Sequence, residues 1–177
     1  GSFFTTIDPQ QSKNYLCICA GSGITPVLSI MKTVLVREPS SRVALLYGNQ
    51  RTATMMFRNE LAFLKNAFME RFHWINIFSR EPQEVDLFSG HLDNRKGGAL
   101  NRRLIRIREF DEFFLCGPEA MISEVSSTES VVWVMKASWL GFSGCTARAS
   151  CTLCTRVMAP GGNWPMVPST SGCPAWP

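Results

Sequence analysis

The first 125 residues of this 177-residue chain predict an α/β fold, an open and mostly parallel sheet with helices on both faces. Short apolar runs alternate with stretches whose apolar residues recur at helical spacing, which is the pattern of a parallel sheet covered on both sides. Each apolar run also closes on glycine, serine or asparagine, residues suited to the sharp turn that leads out of a strand.

Tyr15-Leu16-Cys17-Ile18-Cys19-Ala20 reads as the first strand, short and apolar throughout. Gly21-Ser22-Gly23-Ile24-Thr25-Pro26 follows at once: glycines let the backbone turn, and a proline near the first helical turn starts a helix whose free amides can hold phosphate. Pro26 occupies the third-glycine position of Gly-x-Gly-x-x-Gly, so an ordinary Rossmann dehydrogenase is not the natural reading, and the turn alone fits a plain strand-to-helix connection equally well. Val27, Ile30, Met31, Val34 and Leu35 continue that helix until Arg37-Glu38-Pro39-Ser40-Ser41 ends it. Val43-Ala44-Leu45-Leu46-Tyr47 is a second strand closed by Gly48-Asn49, and Phe57, Leu61, Leu64 and Phe68 mark a second helix. Trp74-Ile75-Asn76-Ile77-Phe78 is a third strand, and Leu100, Leu104 and Ile107 suggest a short third helix. Phe113-Phe114-Leu115-Cys116 is a fourth strand, with Pro118 opening another helix.

The length suits one domain, and the formal charge of +4 does not call for a nucleic-acid partner. Arg102, Arg103, Arg106 and Arg108 read as a solvated helix face. No apolar run approaches the roughly 20 residues that span a bilayer, and the N-terminus lacks a basic-then-apolar leader pattern, so no membrane partner and a cytoplasmic location are expected. Residues 1–14 read as a linker and 15–125 as the domain.

Composition breaks near Ser126. Thirteen acidic and fifteen basic side chains lie between Gly1 and Val125, whereas Glu129 is the only acid from Ser126 to Pro177. That stretch holds four of five tryptophans and four of seven cysteines, and periodicity ends at Val131-Val132-Trp133-Val134-Met135. A cysteine-rich module, a hydrophobic docking tail and an out-of-register reading frame all remain open for residues 126–177, the frame shift being favoured. Residues after about Glu129 are expected to be disordered or poorly packed.

In an open parallel sheet, ligands bind beyond the carboxyl ends of the strands. Here those ends carry Gly21-Ser22-Gly23, Gly48-Asn49-Gln50-Arg51, Ser79-Arg80 and Cys116-Gly117-Pro118. Each alone is ordinary turn chemistry. As a set, Gly21-Ser22-Gly23-Ile24-Thr25-Pro26, Tyr47-Gly48-Asn49-Gln50-Arg51-Thr52, Phe78-Ser79-Arg80-Glu81 and Cys116-Gly117-Pro118-Glu119-Ala120-Met121 resemble the nicotinamide-nucleotide half of the ferredoxin-NADP reductase superfamily. The likeness is strongest to reductase subunits of multicomponent oxygenases, those of phenylacetate degradation among them, and runs from about Tyr15 to Val125.

The resemblance implies an NAD(P)H-dependent oxidoreductase that passes hydride from NADPH to FAD, and electrons on to an iron-sulfur and oxygenase partner. Gly21, Ser22, Gly23, Thr25 and Pro26 would face the pyrophosphate, and Gly48, Asn49, Arg51, Ser79 and Arg80 would line the adenosine end. Cys116 would lie by the nicotinamide C4 as the catalytic position, with Gly117, Pro118 and Met121 shaping the pocket. FAD would sit in a barrel domain that this sequence lacks, so the chain alone would bind nucleotide and reduce little. Gly1-Ser2-Phe3-Phe4 resembles the last turn of such a barrel. A final sheet strand, expected after the helix at Pro118, is not found. The family places a Gly-Val-Asp-Glu type connection before that strand, and reading from the third base of the Val132 codon through Ala137 permits Val-Gly-Asp-Glu-Ser.

The arginines at the adenosine end favour NADPH over NADH, since guanidinium forks match phosphate and no acid stands in the usual ribose position. Glu81 is the exception to weigh, because it follows Arg80 and could pair with it. The parent family also carries a 2Fe-2S centre. Cys145, Cys151 and Cys154 have a first gap of five residues where plant-type ferredoxins have four, so neither that cluster nor another metal is expected here. His73 and His91 are isolated, and Cys17 and Cys19 point to one strand face as core. The rival to the enzyme reading is a non-catalytic module that binds nucleotide or docks a partner.

Overall fold

The computed structural model describes residues 3–126 and 152–158, with side chains through Val125. Five strands form one sheet in the order β3-β2-β1-β4-β5: β1 (Asn14–Ala20), β2 (Arg42–Asn49), β3 (Phe72–Phe78), β4 (Glu112–Pro118) and β5 (Thr152–Met158). The first four are mutually parallel, in register with Ile18 beside Leu46 and Leu115. Four helices connect or follow them: α1 (Ile24–Arg37), α2 (Arg58–Ala67), α3 (Asn94–Arg103) and α4 (Glu119–Ser126).

Period-two alternation within β1 explains why both faces need covering. Tyr15, Cys17 and Cys19 point to one side, where they pack with Val27, Met31 and Val34 of α1 and Leu61 and Leu64 of α2. Leu16 and Ile18 point to the other, against Leu100 of α3 and Met121, Ile122 and Val125 of α4. Burying a side chain of this size contributes about 1.5–3 kcal/mol relative to leaving it exposed. A strand buried on both faces can be apolar along its length, as β1 is from Tyr15 onward.

Two expectations need correction. Leu104 and Ile107 do not belong to the third helix: α3 starts at Asn94, where the Asp93 carboxylate accepts from the Lys96 amide at 2.6 Å, and ends at Arg103. Leu104 is half exposed, and Ile107 is buried from a separate turn, Ile107–Glu109. The final strand that the sequence did not reveal is β5, which pairs antiparallel with β4 from Glu112 beside Met158 to Pro118 beside Thr152. It covers the β4 edge that would otherwise leave its backbone groups unpaired. The apolar run at Val131 to Met135, Cys145, Cys151 and the proposed frame-shift string lie outside the described residues.

The amino-end of the sheet is closed by a buried polar knot. Glu38 is fully buried and accepts hydrogen bonds from the Tyr15 hydroxyl at 2.9 Å, the Ser41 hydroxyl at 2.7 Å and the Gln11 amide. Glu112, also fully buried, accepts from Thr5 at 2.7 Å, and Phe3 meets Phe114 edge-on at 5.5 Å. These contacts fasten the segment before β1 to the end of the domain remote from the carboxyl ends of the strands, where the candidate site lies. Among the described residues no helix is long and apolar enough to cross a membrane.

Candidate functional site

β1 ends at Ala20 and the chain enters a 3-10 turn, Gly21–Gly23, that leads directly into α1. Gly21 has φ +54° and a Cβ there would meet open space, so the backbone conformation alone demands glycine. Gly23 is demanded by contact instead: a Cβ would lie 2.1 Å from the Cys116 carbonyl oxygen. The absence of a side chain therefore lets the turn after β1 rest against the end of β4. The Tyr47 hydroxyl donates to the Gly21 carbonyl at 3.1 Å and holds the turn from the β2 side. Burial and the neighbouring Cys19 push the Tyr47 phenol up to about 12, so it remains a protonated donor at neutral pH.

The adenosine-end candidates form a second, continuous piece. Beyond the last paired residues of β2 and β3 the ladder carries on, with the Ser79 amide donating to the Asn49 carbonyl at 2.9 Å and the Arg80 amide to the Gln50 carbonyl at 3.0 Å. Glu81 then reaches across: its carboxylate accepts from the Thr52 amide and the Thr52 hydroxyl, both at 2.7 Å. Those bonds, with a smaller effect from Arg51 and Arg58, hold the Glu81 carboxyl below its ordinary value. Glu81 is thus committed to Thr52 rather than Arg80. Arg51 and Arg80 are exposed, and neither forms an ion pair among the described residues.

Each sequence-predicted residue has a definite place along this edge. Ser22, Thr25 and Pro118 are exposed, Pro26, Gly48, Asn49 and Ser79 are half-buried, and Gly23, Cys116, Gly117 and Met121 are buried. A Cβ on Gly117 would sit 2.6 Å from Met121 Cε and 3.3 Å from the Ala20 nitrogen, which puts β4, α4 and β1 in contact here. Cys116 is disulfide-bonded, unlike Cys17 and Cys19, whose thiols burial drives far up. Its sulfur therefore carries no titrating proton.

Sequence reasoning missed one neighbour of the site. After β3 the chain loops through Asp86–Phe88 and returns, so that the Gly90 amide donates to the Phe78 carbonyl at 2.7 Å. Lys96 ties the loop down through the Asp86 and Ser89 carbonyls. Leu92 is buried beside Gly48, where a Cβ would approach its Cδ1 to 3.1 Å. Gly90, at φ +99°, was the one signal available. His91 is exposed on this loop, and His73 is exposed on β3 with its pKa lowered by partial burial, Lys65 and Arg42.

A cavity of about 600 Å³ opens between α2 and β3, lined by Thr52, Met55, Arg58, Trp74, Asn76 and Phe78 among others. None of the sequence-predicted site residues lines it. Among the described residues no cluster of three or more metal-ligating side chains occurs.

The profile of the oxidoreductase NAD-binding domain family matches residues 17–127, well over half of the chain. This chain belongs to that family. One component of the 1,2-phenylacetyl-CoA epoxidase from Escherichia coli (strain K12) is 42% identical over 127 residues, which are 72% of this chain and 36% of the relative. The chain thus spans little more than a third of that relative's length. The cytochrome b5 reductase domain of Ulva prolifera nitrate reductase superposes with a TM-score of 0.55 at 28% identity, over 67% of this chain and 45% of that one. A ferredoxin NADP+ reductase from Neisseria gonorrhoeae, solved with bound FAD and NADP, shares the fold at a TM-score of 0.50 and 23% identity, over 68% and 49% of the two chains. The ferredoxin-NADP reductase resemblance and the α/β fold read from the sequence both hold.

Proposed function

We propose that this oxidoreductase domain is the NADPH-binding half of a flavoprotein reductase that supplies electrons to an iron-sulfur and oxygenase partner in the cytoplasm. Support for the oxygenase comes from the 42% identity to the epoxidase component. Support for NADPH comes from one observation, two exposed arginines on strand-end loops joined by backbone hydrogen bonds, with no ion pair of their own among the described residues.

The nucleotide runs along the carboxyl edge of the sheet. Gly21, Ser22, Gly23 and Thr25 seat the pyrophosphate at the start of α1, where turn amides and the helix dipole favour negative charge. Pro26 presets the first turn of α1 and withdraws no amide that the helix ladder needs. Arg51, Ser79 and Arg80 receive the 2'-phosphate, with Gly48 and Asn49 forming the floor beneath the adenosine. Gly117 and Pro118 leave the nicotinamide face uncrowded, Met121 backs Gly117, and the buried sulfur of Cys116 fixes how closely the ring approaches.

FAD, when its domain is present, supplies the acceptor for hydride and the route to single electrons. This domain's share of the chemistry is position: it presents the ring, excludes water behind it and grips the remote phosphate. The chain alone binds nucleotide and reduces little.

Charge-assisted hydrogen bonds contribute about 1.5–3 kcal/mol each before solvent screening, so a discrimination of about tenfold or more follows. Calorimetric titration with 2'-phospho-AMP and with AMP is expected to show that preference, and Arg80→Ala is expected to lose most of it. Equal affinities in the wild-type chain, or an Arg80→Ala protein with its preference intact, would remove the basis of the assignment.

A further inference from the structure

The geometry points to Glu81 as the positioning residue of the 2'-phosphate site: its clamp on Thr52 ties the loop that carries Arg51 to the loop that carries Arg80. The inference rests on the function proposed above and assigns the residue that makes the two arginines act as a pair.

Arg51 and Thr52 are consecutive on one loop, and Arg80 and Glu81 on the other. Glu81 binds Thr52 through both carboxylate oxygens, Oε2 taking the backbone amide and Oε1 the hydroxyl. Each arginine is therefore one residue from the same two-bond bridge. Two ladder bonds, Ser79 to Asn49 and Arg80 to Gln50, complete a four-bond connection between loops that otherwise end freely at the edge of the sheet. The Thr52 amide also opens the 3-10 turn Thr52–Thr54, whose first donors have no partner within the turn. Glu81 satisfies it from the loop that follows β3.

An acid beside a phosphate site ordinarily weakens phosphate binding. Here both carboxylate oxygens face Thr52, and the negative charge lies in the field of Arg51 and Arg58. Long arginine side chains lose substantial freedom when they converge on one ligand, and a rigid backbone beneath them lessens that cost. Glu81 supplies rigidity, and its charge is incidental.

Charge and rigidity are separated by Glu81→Gln and Glu81→Ala. Glutamine keeps both bonds, its carbonyl accepting the Thr52 amide and its NH2 donating to the Thr52 hydroxyl oxygen, and removes only the charge. Alanine removes the bridge. Titrated with 2'-phospho-AMP and AMP, Glu81→Gln is expected to keep or raise the wild-type preference, while Glu81→Ala loses about tenfold of it with AMP affinity nearly unchanged. Thr52→Val, which deletes one bond and leaves the backbone amide, is expected to lose a smaller part and reports even if Glu81→Ala fails to fold.

A Glu81→Ala protein that keeps or raises the preference, or a Glu81→Gln protein that loses it, overturns the inference. If Arg80→Ala abolishes the preference while Glu81→Ala and Thr52→Val leave it intact, this inference fails and the proposed function stands. Equal affinities in the wild-type chain overturn both.

Discussion

Gly23 carries the most constraint for its size. A methyl group there would lie 2.1 Å from the Cys116 carbonyl oxygen and 2.6 Å from its carbon, both backbone atoms that cannot swing aside. Gly23→Ala must push the turn off β4, and overpacking of this kind costs about 1–3 kcal/mol. The expected outcome is an unfolding free energy lowered by that amount, seen as a lower urea midpoint, together with lost nucleotide affinity, read on one sample by denaturation and titration. An unchanged midpoint would mean that the turn does not rest on β4. Glycine's presence at Gly23 was legible in the sequence, but its reason was not, because the obstacle lies on a strand 93 residues away.

Glu81 shows the same limit. Adjacency suggested a pairing with Arg80, whereas the strand pairing of β2 with β3 brings Thr52 closer. The folded pKa of Glu81 lies below its ordinary value, so its contribution to stability is present above the unfolded carboxylate range and lost as pH falls through the folded value. The urea-midpoint difference between wild type and Glu81→Ala is therefore expected to be largest near neutrality and to shrink as pH falls through and below the ordinary carboxylate range. A difference constant across that range would exclude the ionised clamp.

At the scale of elements, strands read more faithfully than helix ends. The middles of β1, β2 and β4 are apolar on both faces, and a run of that kind has few other places to go. α3 was overextended because Leu100, Leu104 and Ile107 fit a helical period, yet the Ile105 amide turns back to Leu100 and the chain leaves the helix at once. β5 was invisible because its partner, not its own pattern, makes it a strand: β4 has an edge to fill. α2 is held to the sheet through Leu61 and Leu64, while Phe63 stays 70% exposed. Leu61→Ala is expected to cost about 2–5 kcal/mol, seen as a lowered thermal midpoint, and Phe63→Ala less than about 0.5 kcal/mol. Comparable losses from both would contradict the packing of α2.

The whole molecule separates its tasks by the two ends of the sheet. The amino-end knot of Glu38, Tyr15 and Glu112 fastens the preceding segment, while the carboxyl end gathers four loops from four strands. Those four motifs were legible together because they recur as a set at the ends of successive strands, and a nucleotide spanning the edge as proposed would need each end to be small, polar or cationic. The returning loop at Gly90 and Leu92 was not, since only a folded sheet brings it beside Gly48.

Amide chemical-shift mapping during titration of the isotope-labelled chain with NADP+ tests the placement of the nucleotide most directly. The largest changes are expected at Gly21 to Thr25, at Arg51 and Arg80, and at Gly117, with little at Glu38 and the amino-end knot. Changes confined to the α2–β3 cavity around Trp74 and Asn76, or no saturable change at all, would contradict a nucleotide seated across the carboxyl edge of this sheet.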